Sequence, residues 1–109
     1  MVLIFGGVYQ GKLAYAKMRF GDDQKIINNV DREVLAWIES GENLPEKMNE
    51  FINANTDSVV ICNDISCGVV PIDPMMRKWR EEVGKFMSKL AENSDEVIRM
   101  FCGIPTQIK

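Results

Sequence analysis

The 109-residue chain contains no histidine. The commonest general base near neutral pH is therefore missing, and any proton transfer must use a carboxylate, a lysine or a phosphate of the substrate itself. The same absence leaves a structural zinc site without nitrogen ligands, and the three cysteines, Cys62, Cys67 and Cys102, form no CxxC pair to replace them. Long apolar runs are missing too. None is longer than five residues, as in Met1 to Phe5, against the roughly 20 needed to span a bilayer. That start has no basic segment, extended apolar core or small-residue cleavage site, so it does not read as a secretory signal, and the cytoplasm is the expected location. No cluster of Lys or Arg breaks a balance of 13 basic against 16 acidic residues, a net charge of -3, so neither DNA nor RNA is an expected partner.

What is present suits an ordinary α/β domain. Hydrophobic residues at 46% and charged residues at 27% fit a soluble globular chain, and this length supports one domain, residues 1–109, around a single core. Val2–Phe5 and Ser58–Cys62 are short all-apolar runs, the pattern of strands buried on both faces of a parallel sheet. Gly11–Phe20 reads as a helix stopped by Gly21, and Lys25–Asn29 as either a short edge strand or a connection. Asp31 can cap a helix carrying Val34, Leu35 and Ile38, ended by Ser40-Gly41. Another helix begins near Asn43 with Pro45 in its first turn and Leu44, Met48, Phe51 and Ile52 as its apolar stripe. Asp73 and Pro74 open the longest helix, running to about Glu92, with Met76, Trp79, Val83, Phe86, Met87 and Leu90 on its buried face. Arg77–Glu81 and Lys78–Glu82 have i,i+4 spacing for ion pairs on the other side. Glu96–Cys102 reads as a final strand, stopped at Gly103 and Pro105. Cys62 and Cys102 lie in apolar runs and are expected to be buried thiols. Strands alternating with helices imply βαβ units, a mostly parallel sheet and a three-layer α/β fold of the P-loop type.

Between the first strand and first helix stands Gly6-Gly7-Val8-Tyr9-Gln10-Gly11-Lys12, a match to G-x-x-x-x-G-K in the context that motif requires. Glycines let backbone N–H groups turn inward as an anion nest, the helix directs its positive end at the anion, and Lys12 adds a charge. The expected ligand is the triphosphate tail of ATP or GTP, on Gly6 to Lys12 and the adjoining Leu13. A Ser or Thr normally follows the lysine and ligates Mg²⁺; Leu13 offers no oxygen. A glycine-rich turn with an exposed Lys12 and no ligand is the alternative reading.

A parallel sheet presents its crevice beyond the carboxyl ends of its strands, so Asn63 and Asp64 should face the same crevice as this loop. Asp64 follows Val59-Val60-Ile61-Cys62-Asn63 as a Walker B carboxylate follows its strand. It is the candidate to hold Mg²⁺ through a water, and with Lys12 forms the candidate catalytic pair. Both Asn63 and Asp64 could instead satisfy loop backbone groups as Asx turns. Ser66 and Cys67 could face substrate, but no histidine is available to activate either, and no chemistry is assigned to them.

With Gly6-Gly7, Gly11-Lys12 and Asn63-Asp64-Ile65-Ser66-Cys67-Gly68-Val69-Val70-Pro71 in place, the chain resembles the bifunctional adenosylcobinamide kinase/adenosylcobinamide-phosphate guanylyltransferases of cobalamin biosynthesis. Their G-G-x-x-S-G-K-S is matched at Gly6, Gly7, Gly11 and Lys12, and their N-E-V-G-x-G-x-V-P resembles Asn63 to Pro71, with Asp64 as the carboxylate. Arg77 and Arg80 on the long helix and the ending Gly103-Ile104-Pro105 with Lys109 resemble the family's C-terminal helix and closing strand. The resemblance implies phosphoryl transfer from ATP or GTP, with Mg²⁺, to the propanolamine hydroxyl of adenosylcobinamide, and a homo-oligomer, trimeric in the family. Family members are longer, and Asp31 to Asn55 stands where they carry an Asp-containing strand. Their guanylylation step proceeds through a histidine bonded to GMP, which this sequence cannot supply. A non-catalytic nucleotide- or phosphate-binding subunit is the rival reading.

Overall fold

A computed structural model describes residues 1–21, 23–65 and 71–109. Nine elements follow in order: β1 (Val2–Gly6), α1 (Lys12–Phe20), β2 (Ile26–Ile27), α2 (Val30–Glu39), α3 (Leu44–Ala54), β3 (Val59–Asn63), α4 (Pro74–Glu92), β4 (Glu96–Phe101) and β5 (Ile104–Gln107). The sheet order is β2-β3-β1-β4-β5. β1 is central and parallel to both β3 and β4, β2 is parallel to β3, and β5 runs antiparallel to β4. The mostly parallel α/β expectation holds.

Strand alternation divides the core in two. Leu3, Val60, Cys62 and Val97 meet Val30, Val34, Met48, Ile52, Val83, Phe86 and Leu90 from α2, α3 and α4. Ile4, Val59, Ile61, Ile98 and Met100 point the other way and meet Ala16 of α1, flanked by Leu13, Tyr15 and Phe20. Val59 to Cys62 are all fully buried, which is why β3 is apolar at successive positions instead of alternating.

Caps and turns explain most boundaries. Asn43 accepts from Glu46 N at 3.1 Å, Asp73 accepts from Met75 N at 2.8 Å, and a proline opens each of α3 and α4. Five expectations are corrected. Asp31 is no cap: Asn29, at φ 56°, precedes the helix, and Asp31 lies in its first turn, only 3% exposed. Met76 is exposed, as is the rest of the first turn of α4 from Pro74 to Lys78. Glu81 and Glu82 pair with Lys85, at 3.4 and 3.3 Å, rather than with Arg77 and Lys78. Gly103 and Pro105 do not end the sheet. Cys102 (φ 52°) and Gly103 (φ 74°) form a two-residue turn into β5, both with the positive φ that tight hairpins favour. Cys102 is accordingly exposed, and Pro105 sits on an edge strand, where a missing N–H is tolerated.

Candidate functional site

β1 ends at Gly6 and α1 starts at Lys12, and the five residues between them turn over the carboxyl end of the sheet. Gly6 is required there by space: a Cβ would stand 2.4 Å from the Met100 carbonyl oxygen of β4. Gly11 is the residue before α1, at φ 82°, a left-handed conformation that glycine adopts without penalty. Tyr9, at φ 61°, is 99% exposed at the loop tip. Gln10 reaches back to accept a hydrogen bond from the Cys102 amide, tying the loop to the β4–β5 turn.

Lys12 is 6% exposed and donates from Nζ to the Gly7 carbonyl within the loop. Burial lowers its pKa, opposed by the nearby negative charge of Asp31 and by Cys62. Lys12 is therefore not the exposed side chain that the alternative reading of this turn expected. Leu13 is half-buried, packs against the α1-side core and also lines the cleft.

That cleft has a volume of about 390 Å³ and is walled on one side by Val8 to Ala14. Asn28, Asn29, Arg32 and Asn63 form the opposite wall. A hydrogen-bonded layer fixes that wall. Asn63 donates its backbone N–H to Asp31 at 3.2 Å, and its side-chain amide to Asp31 and to Asn29 at 3.2 and 3.1 Å. The Asp31 carbonyl accepts from Trp79 Nε1 at 2.7 Å, linking the layer to α4. The end of β3 is thus sewn to the start of α2 immediately beside the loop from Gly6 to Lys12.

Of the sequence-selected residues, Asn63 shares the cleft with Val8 to Leu13. Asp64 lines an adjoining space of about 170 Å³ with Gly6, Gly7, Gln10, Arg99, Met100 and Phe101. Its backbone N–H donates to Gly6 O at 2.8 Å, so the carboxylate stands beside the root of the loop. Ser66 and Cys67, with the rest of the run to Val70, lie outside the described residues. Cys62 lies beneath the site, and burial, reinforced by Asp31 and Asp64, raises its thiol pKa far above the ordinary value, which keeps it an inert neutral group. Among the described residues no group of three or more His, Cys, Asp or Glu side chains forms a metal cage.

Sequence reasoning missed Asp31 as the organiser of the cleft, and Asn28, Asn29 and Arg32 as its wall. The signal was their position just after Ile26-Ile27: residues following any parallel strand converge on the same crevice, but a two-residue strand is too short to declare itself.

A profile of the family described as cobinamide kinase / cobinamide phosphate guanyltransferase matches residues 24–108. The matched span begins after the Gly6–Lys12 loop, so the loop and the family assignment are separate observations. No curated protein matches the chain. The chain belongs to the cobinamide kinase / cobinamide phosphate guanyltransferase family, whose members act in cobalamin biosynthesis.

Proposed function

We propose that the cleft binds the triphosphate of ATP or GTP and that the chain transfers the γ-phosphoryl group to adenosylcobinamide. The observation that carries this reading is the buried cation Lys12 within a glycine-shaped loop at the carboxyl end of the central strand. Backbone N–H groups of the loop from Gly6 to Leu13 would cradle the phosphates, and Lys12 would exchange its bond to the Gly7 carbonyl for one to a phosphate oxygen. Asp64 would hold Mg²⁺ through a water; the ion supplies charge neutralisation of the phosphates when bound. In the transfer the propanolamine hydroxyl oxygen bonds to the γ-phosphorus as the bond to the bridging oxygen breaks. The nucleoside diphosphate leaves, and the hydroxyl proton passes to a phosphate oxygen or a carboxylate, since no imidazole is present. Guanylyl transfer through a histidine adduct is outside the capacity of these residues. We place this activity in the cytoplasm, in a homo-oligomer of the trimeric kind.

Leu13 favours a second reading. It fills with packed hydrocarbon the position from which a hydroxyl would meet the metal, as expected of a subunit that binds nucleotide without turnover. Incubation with γ-labelled ATP or GTP, Mg²⁺ and adenosylcobinamide separates the two. Label in phosphorylated cobinamide supports the kinase; nucleotide binding with no transfer supports the binding subunit.

A further inference from the structure

The cleft beside the phosphate loop has a charge pattern opposite to that of the whole chain. The sequence carries a net charge of -3, yet none of the described residues lining the cleft is acidic, and two are cations, Lys12 and Arg32. The two are differently held. Lys12 is buried in the loop, with its charge spent on the Gly7 carbonyl. Arg32 is exposed on the opposite wall, in the first turn of α2, and among the described residues its guanidinium makes no hydrogen bond or ion pair. Its neighbour Asp31 does not neutralise it, being turned inward to accept from Asn63. The Asp31–Asn63–Asn29 layer fixes the backbone from which Arg32 projects, so an unpaired guanidinium is carried on a rigid wall opposite an anion nest.

Resting on the nucleotide-binding reading above, we propose that Arg32 is a phosphate-binding residue that makes the cleft selective for ligands with two or three consecutive phosphates. A single phosphate in the nest satisfies the loop amides and Lys12. Further phosphates extend across the cleft, where a planar guanidinium offers paired N–H donors to non-bridging oxygens. The site then measures the length of the phosphate chain by two cations on separate elements, one on α1 and one on α2.

The test is isothermal titration of ATP, ADP and AMP, and of the guanine series, into wild type, Arg32→Ala, Arg32→Lys and Lys12→Ala. The thermal midpoint of each unliganded protein serves as the control for folding. Arg32→Ala is expected to raise the Kd for triphosphate about tenfold or more, the ordinary effect of losing a charge-assisted contact. It should leave the monophosphate Kd within about twofold of wild type, with Arg32→Lys intermediate. Triphosphate binding lost in Lys12→Ala but unchanged in Arg32→Ala overturns this assignment and leaves the nucleotide site standing. Equal weakening of mono-, di- and triphosphate by Arg32→Ala also overturns it. Absence of any nucleotide binding by wild type removes the underlying reading, and this one with it.

Discussion

Lys12 and Leu13 pull the site in opposite directions. Lys12 is buried in the loop, with its pKa lowered by desolvation. Its folded-state pKa therefore lies below the unfolded value. Between the two the unfolded chain binds more protons, so stability rises with pH through that window, and at neutral pH the buried charge costs stability. Lys12→Met should make the unliganded protein more stable to urea at pH 7 while removing nucleotide binding. A Met variant that is less stable and still binds would contradict the role given to Lys12. In wild type, nucleotide affinity should fall as pH rises through the lowered Lys12 pKa. Leu13→Ser exchanges packed hydrocarbon for a metal-seeking hydroxyl. It is expected to cost about 1–2 kcal/mol of stability by denaturant titration and to raise Mg²⁺-dependent phosphoryl transfer. No gain in transfer would mark the pocket as one retired from catalysis.

At the scale of elements, the Gly6–Lys12 loop and the β4–β5 hairpin behave as one part. Gly6 sits where a Cβ would meet the Met100 carbonyl oxygen at 2.4 Å, and Gln10 accepts from the Cys102 amide. Gly6→Ala must therefore push the loop off β4. It should destabilise the protein by about 2–4 kcal/mol and weaken nucleotide binding in the same titration; full stability and affinity would show that the loop tolerates displacement. The strands β1 and β3 were legible because burial on both faces makes them continuously apolar, and α3 and α4 because Asn43, Pro45, Asp73 and Pro74 mark their starts. The hairpin was not legible from the residues alone, although the family resemblance implied a closing strand after Gly103. Cys102 is a poor turn residue, and Pro105 reads as a terminator until the edge position that tolerates it is known. For the same reason the loop Gly6–Lys12 was visible in the sequence while Arg32 was not. A motif is local, whereas the wall opposite it comes from a two-residue strand and a helix that only tertiary packing brings alongside.

For the whole molecule, three helices cover one face of the sheet and α1 the other, and no residue of β5 belongs to either core. Phe101, Ile104 and Ile108, in and just beyond the C-terminal hairpin, are 58–64% exposed. No helix of the described residues is long and apolar enough to cross a membrane. The homo-oligomer we propose would cover these side chains, and sedimentation velocity should report a species larger than the monomer that Ile104→Lys dissociates; a wild-type monomer at tens of micromolar would contradict it. The central claim, however, is that the loop at the end of β1 is a working nucleotide site, and thermal unfolding tests it most directly. Wild type and Lys12→Ala would be melted with and without millimolar ATP or GTP and Mg²⁺. Ligand at about 100 times Kd adds roughly 2.7 kcal/mol, which raises Tm by about 10 °C or more in a domain of this size. The account predicts that shift in wild type and its loss in Lys12→Ala. No shift in wild type, at ligand well above any workable Kd, would contradict nucleotide binding at this site.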